Sequence, residues 1–236
     1  MSPLNLDVLP VSSRLLASLP SNEYRRLLPQ LKPISLSFGD VLYDPGDTIS
    51  YVYFPNDSIV SLLSTLNGRA SVEIGMIGNE GMVGISLLMG VNRAPTRALV
   101  HAPGSAMRMP SIAVQQEVQR MGDLYHLLQR YTYSLLTQVC YLSTCNRFHP
   151  IDSRLARWLL MSHDRSGSNE LRLTQEFMAE MLGGRREGVN KAIGTMQRNG
   201  IIEYSRGQLK ILDSPALQRV SCVCYGLIKT QYDIFS

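Results

Sequence analysis

Most of what this chain lacks removes a class of function. No apolar run approaches the roughly 18 residues that a membrane-spanning helix needs. The opening "MSPLNLDVLPVSSRLLASLP" has no basic stretch leading into an apolar one, so no secretory leader is expected and a cytoplasmic location is. Motifs that carry catalysis are missing as well. There is no G-x-S-x-G, no Walker loop, no H-E-x-x-H and no framed pair of carboxylates, and no enzyme is expected. Cysteine is scarce: four residues form two close pairs, Cys140 with Cys145 and Cys222 with Cys224, and none lies among the first 139 positions. That usage suits reduced thiols better than a disulfide framework, and the four are expected to be structural, with no metal. His101 and His149 lack a spaced histidine partner and are expected to be core or surface residues. The net charge of +4 is too mild to demand a polyanionic partner.

What is present is an ordinary globular composition, 44% hydrophobic over 236 residues, whose character changes near Pro150. A helical lead-in, "SSRLLASLPSNEYRRLLPQL", is split by Pro20, with Ser21 placed to cap its second half. From Ser35 to Pro110, short apolar runs are broken at regular intervals by Gly, Pro, Asn or Asp, the pattern of a small antiparallel barrel or roll. Gly39, Gly46, Gly68, Gly81 and Gly104 fall where tight turns are wanted. From Asp123 the period becomes helical, and Leu124, Leu128, Tyr131, Leu135, Gln138, Leu142 and Cys145 recur in alternating steps of four and three. Sustained over about three heptads, this seam predicts a helix paired with its own copy in a homodimer. The other reading is a helix packed on its own barrel. Tyr133, Cys140 and Tyr141 lie off the seam, facing the barrel if the seam faces a partner.

Beyond Pro150, "IDSRLARWLLMSH" is an amphipathic helix, followed by a helix capped by Thr174 and closed by Gly183, and a second running from about Arg185 to Arg198. Asn199-Gly200 ends the second, and "IIEYSRGQLKILD" then makes a small hairpin through "SRG". Two helices joined at a glycine corner and followed by a hairpin have the order of a winged helix-turn-helix. In "LGGRREGVNKA", Leu182 to Ala192, the charged residues open the second helix, where side chains and helix N-terminus can meet phosphates or base edges. Arg186 suits a bidentate contact to guanine, Glu187 can accept from a cytosine amino group, and Lys191 follows one turn later. Val189, Ile193 and Met196 carry the inward spacing. The competing reading is a solvated helix start tied up in salt bridges. Residues 150–236 carry twelve Lys and Arg against nine Asp and Glu, the preceding residues eleven against ten, so the excess charge lies in the half with the helix pair.

These residues resemble the Crp/Fnr family of bacterial transcription regulators. "LTQEFMAEMLGGRREGVNKAIGTMQRNGII" is similar, without gaps, to that family's pattern (I/L)T-x(8)-G-x-x-R-E-x-V-x-(R/K)-x-(L/I). The resemblance implies base reading by Arg186 and Glu187 with Lys191 in support, and phosphate contacts from Thr174, Gln175 and Arg185. Gly188 stands where the family commonly has Thr or Ser, which removes one such contact. Upstream, "FGDVLYDPGD" and "YVYFPNDSIVSLL" look like the double-stranded β-roll of the cyclic-nucleotide-binding fold. The implied fold is α+β: a sensory roll with N-terminal helices over 1–122, a dimerisation helix over 123–149 and a winged helix-turn-helix over 150–236. The implied partners are double-stranded DNA, a second copy of the chain and, for an activator, RNA polymerase, with no membrane and no cofactor.

The family's nucleotide cassette aligns with "GMVGISLLMGVNRAPTRALV", so an effector pocket would involve Gly81, Met82, Val83, Arg93 and Arg97. Met82 replaces the glutamate that would accept from a ribose hydroxyl, and the run to Arg97 is longer than the pattern, so cyclic AMP and cyclic GMP are not expected as effectors. Relatives that sense through an iron–sulfur cluster need about four grouped thiolates; here only Cys222-x-Cys224 with Cys140 and Cys145 could assemble a metal site. A rival function is a small-molecule or cyclic-nucleotide binding module that acts through a protein partner.

Overall fold

The computed structural model describes residues 12–66 and 70–232. Two short helices lead in, α1 (Arg14–Ala17) and α2 (Ser21–Leu27). Pro20, extended at ψ 142°, takes the cap position of α2. Ser21 is therefore already inside the helix and does not cap it, contrary to expectation. Seven strands follow: β1 (Lys32–Leu36), β2 (Val41–Tyr43), β3 (Tyr51–Pro55), β4 (Ile59–Leu66), β5 (Ala70–Ile77), β6 (Arg97–Ala102) and β7 (Gly104–Pro110). They form two antiparallel sheets, ordered β1-β7-β3 and β2-β6-β4-β5, which makes the expected roll. Gly39 and Gly46 turn with φ near +90°, whereas Gly68 lies outside the described residues. Gly81 closes a turn, its N–H donating to the Gly78 carbonyl at 3.1 Å, and also serves close approach, since a Cβ there would stand 2.5 Å from the Tyr131 hydroxyl.

Helix α3 (Ser111–Arg120) leads into α4 (Asp123–Phe148), and Pro150 separates α4 from α5 (Ile151–Ser166). Strand β8 (Glu170–Arg172), α6 (Gln175–Met181), α7 (Arg186–Arg198), β9 (Ile202–Ser205) and β10 (Gln208–Ile211) then build a winged helix-turn-helix. Its three-stranded sheet has the order β8-β10-β9. The hairpin turns through Arg206 and Gly207, both at positive φ, the conformation a two-residue connection between twisted strands favours. Two further helices, α8 (Ser214–Val220) and α9 (Cys224–Tyr232), close the chain. Asp213 caps α8, accepting from the Ala216 N–H at 2.8 Å.

The seam on α4 is buried, but by its own chain. Leu124, Leu128, Tyr131, Leu135, Gln138, Leu142 and Cys145 all lie in the interior. The first four belong to the roll's core, while Leu142 and Cys145 belong to a second core shared with α5–α9. Gln138 bridges to the Met76 backbone, accepting at 3.0 Å and donating at 3.2 Å. The assignment of Leu124, Leu128, Tyr131, Leu135, Gln138 and Leu142 to a dimer interface is thereby corrected. Apolar periodicity marks the buried face of a helix and not what buries it. Two of the off-seam residues are reversed too, Tyr133 being 63% exposed and Cys140 on the surface, whereas Tyr141 packs against the core as expected.

The second core also takes in Ile59, Leu63 and Met76 from β4 and β5, so the core of the C-terminal half reaches into the roll. Polar groups fasten the same junction. Arg165 Nε donates to Glu80 Oε1 at 2.8 Å, with both side chains almost fully buried, and the Arg165 guanidinium lies 4.5 Å over the Tyr232 ring. His101 sits between Ser61 Oγ, 2.7 Å from Nδ1, and Ser162 Oγ, 3.4 Å from Nε2. The Glu73 carboxylate accepts from Ser61 Oγ at 2.6 Å and from Trp158 Nε1 at 3.1 Å.

Candidate nucleic-acid interface

The corner between α6 and α7 follows from local chemistry. Thr174 Oγ1 accepts from the Phe177 N–H at 3.1 Å and so caps α6. Gly183, at φ +55°, turns the chain where a Cβ would stand 3.0 Å from a Val72 methyl. Arg154, from α5, donates to the Leu182 carbonyl and, at 2.8 Å, to Asn146 Oδ1, which ties the corner to the end of α4. Helix α7 buries Val189, Ala192, Ile193 and Met196 and turns Arg185, Arg186, Glu187 and Lys191 to solvent.

None of these four charged side chains makes a hydrogen bond or ion pair with any described residue. Charges of that kind at a helix N-terminus are free for an outside partner, and the salt-bridged reading of this stretch does not hold. Gly188 is half-buried toward Ile151 and presents nothing outward. Gln175 is half-buried in the first turn of α6. The wing turn abuts the start of α6, with the Leu173 N–H donating to the Gly207 carbonyl at 2.8 Å. Exposed Arg206 therefore stands on the same side of the domain as Thr174. Sequence reasoning did not single it out, although the tripeptide "SRG" marks it as a wing tip.

The residues proposed for an effector pocket divide into two groups. Met82 and Val83 are fully buried in the roll's core, and Gly81 lies against Tyr131. Arg97 pairs with Asp44 at 2.5 Å, and Arg93 donates to the Gly46 carbonyl at 2.8 Å, so each cation already has a partner in the protein. The cysteines also fall differently from expectation. Cys140 is apart on the surface, while Cys145, Cys222 and Cys224 meet His149, which is not an isolated histidine.

A roll and a long helix carrying a winged helix-turn-helix with a free basic edge define a DNA-binding transcription regulator. Residues 153–220 match the family model described as a Crp-like helix-turn-helix domain. A global nitrogen regulator from Synechocystis is 21% identical over 83% of this chain and 92% of its own. Among solved structures, a putative Crp/Fnr-family regulator from Eubacterium rectale superposes with a TM-score of 0.68 at 18% identity, covering 87% of this chain and 96% of the other. FixK2 from Bradyrhizobium japonicum gives 0.69 at 15%, covering 82% and 98%. The chain thus carries a Crp-like helix-turn-helix domain, and its described residues have the fold of Crp/Fnr-family regulators. No helix among the described residues is long and apolar enough to cross a membrane.

Proposed function

We propose that the chain works as a homodimer on a palindromic DNA site and reads bases with α7. The observation that carries this is the outward, unpaired set Arg185, Arg186, Glu187 and Lys191 at the start of that helix. Arg186 and Glu187 contact base edges and Lys191 supports them. Thr174, Gln175, Arg185 and the wing's Arg206 meet phosphates on either side. Two copies join along the face of α4 opposite its buried seam. There His126, Gln129, Tyr133, Leu136, Cys140, Ser143 and Arg147, all exposed, repeat in alternating steps of three and four. Half-sites then lie about one helical turn apart. RNA polymerase is a further partner if the protein activates, and the cytoplasm is its location.

The roll does not take cyclic AMP or cyclic GMP. Met82 offers a ribose hydroxyl no acceptor, and Arg97 is held by Asp44. Calorimetric titration with both nucleotides is expected to show no micromolar binding.

The test of the central reading is a mobility-shift series on duplex DNA at rising salt, paired with selection of bound sequences from a random pool. A steep loss of affinity with salt and a palindromic consensus are expected. A salt-independent interaction, or no enriched sequence, refutes it in favour of a module acting through a protein partner.

A further inference from the structure

Where α4 ends and the DNA-reading half begins, four soft donors converge that DNA reading does not use. Cys145 sits in the last turn of α4, and His149 is that helix's C-terminal cap. Cys222 lies in the break between α8 and α9, and Cys224 opens α9. Their ligand atoms all lie within 4.8 Å of one another. Cys145 Sγ is 3.4 Å from Cys222 Sγ, and Cys224 Sγ is 3.6 Å from His149 Nδ1. Donors bound to one zinc ion, at about 2.3 Å for sulfur and about 2.0 Å for nitrogen, stand about 3.5–4 Å apart around a tetrahedron. The four side chains already span that shell. An iron–sulfur cluster spreads its thiolates around several metal atoms, and donors grouped about a single point do not suit it.

The surroundings point independently to a site that carries negative charge. Arg157 lies against Cys145 and is only 2% exposed. Its Nη1 donates to Met161 Sδ at 3.2 Å, its Nε has no partner, and it forms no salt bridge among the described residues. Its charge reaches Glu73, but that carboxyl bonds Ser61 and Trp158 instead, so the guanidinium is buried with no ion pair, which is costly. A divalent ion with three thiolates and a neutral imidazole carries one net negative charge, which Arg157 is placed to offset.

The geometry points to a closed Cys3His site for a thiophilic divalent cation, zinc by its chemistry, formed by Cys145, His149, Cys222 and Cys224. Binding forms three metal–sulfur bonds and one metal–nitrogen bond and releases the thiol protons to solvent, with no electron transferred. With no open position the site is structural. It fastens the α8–α9 segment to the joint between α4 and α5 at His149 and Pro150, so occupancy fixes the angle between α4 and the DNA-reading half.

The test uses full-length protein purified anaerobically in reductant, stripped with a chelator and titrated with Co2+ and then Zn2+. The expected result is one equivalent per chain, with cobalt bands of tetrahedral intensity and a thiolate charge-transfer band that Zn2+ abolishes. Cys222→Ser and Cys224→Ser are expected to weaken Zn2+ binding by at least about 100-fold, since even outer partners of a metal site are worth 10–100-fold. Cys140→Ser is expected to bind as wild type. The thermal midpoint of the wild type should rise with Zn2+ and that of Cys222→Ser should not.

The wild-type cobalt spectrum is independent of whether a variant folds. Its absence from folded, reduced protein overturns the proposal. So does equal loss of binding in Cys140→Ser, or a native Cys145–Cys222 disulfide whose reduction restores no metal uptake.

Discussion

Arg185 and Arg186 are adjacent, both exposed and both unpaired among the described residues, yet the proposed mode of DNA binding assigns them different tasks. Arg185 is the N-terminal cap of α7 and Arg186 its first helical residue. Arg186→Ala is expected to cost about 1–3 kcal/mol of discrimination and to relax preference at one base pair per half-site, whereas Arg185→Ala weakens all sequences alike. Binding measured on a panel of single-base operator variants separates the two, and an unchanged base preference in the Arg186 variant defeats the assignment.

Two buried groups at the domain junction set the response to acid. Burial, with the Arg165 charge in support, pushes His101 down to about 3 from its ordinary 6.5. The unfolded chain therefore takes up a proton below pH 6.5 that the folded chain refuses, and stability falls by up to about 1.4 kcal/mol per pH unit toward pH 3. Burial raises Glu73 above its ordinary 4.5, against hydrogen bonds from Ser61 and Trp158 and the charges of Arg157 and Arg165. The folded chain keeps that proton above pH 4.5, so this contribution is lost as pH rises and opposes that of His101 from pH 4.5 upward. Urea midpoints across this window are expected to fall more steeply with acid in Glu73→Gln and to flatten in His101→Gln. A Glu73→Gln profile that superposes on the wild type refutes the account.

At the scale of elements, α4 shows how far periodicity carries. The steps of four and three from Leu124 to Cys145 identify its buried stripe, and the structure fills that stripe from within the chain. The proposed dimer contact then falls to the opposite stripe, where Tyr133 and Leu136 are 63% and 59% exposed. Tyr133→Asp with Leu136→Asp is expected to give a folded monomer with weak DNA binding, read by sedimentation. Leu128→Asp instead buries a charge in the roll's core and is expected to unfold the protein. A dimeric Tyr133→Asp/Leu136→Asp protein rules out this face.

Other elements were legible for local reasons. Thr174 and Gly183 bound α6, and "SRG" turns the wing. Helix α8 had a usable signal in Asp213 followed by Pro215 at its start. The donor cluster was only half visible: Cys145 and His149 stand four apart on one helix, but no local pattern says that Cys222 and Cys224 return to them.

For the whole molecule, the deciding feature is that the core of the DNA-reading half extends into the roll, which keeps a second core of its own. Ile59, Leu63 and Met76 of the roll pack with Trp158, Leu159 and Met178 of the winged helix, and the Glu80–Arg165 pair crosses the same boundary. Such a shared core predicts one cooperative unfolding transition for both halves. Glu80 also accepts from the Gly78 N–H at 3.3 Å, and Arg165 Nη1 donates to the Met161 carbonyl at 3.1 Å, so the pair is anchored at both ends. Removing one partner leaves the other charge buried and uncompensated, and Glu80→Ala is expected to cost about 3–5 kcal/mol. Replacing both, as Glu80→Leu with Arg165→Met, returns most of that stability, because two apolar side chains of similar length need no solvation. The double variant should therefore unfold near the wild-type midpoint, while Glu80→Ala unfolds earlier and is cut sooner by protease around Pro150. Should the double variant prove as unstable as Glu80→Ala, the junction depends on the ion pair's geometry and not on the cost of a stranded charge.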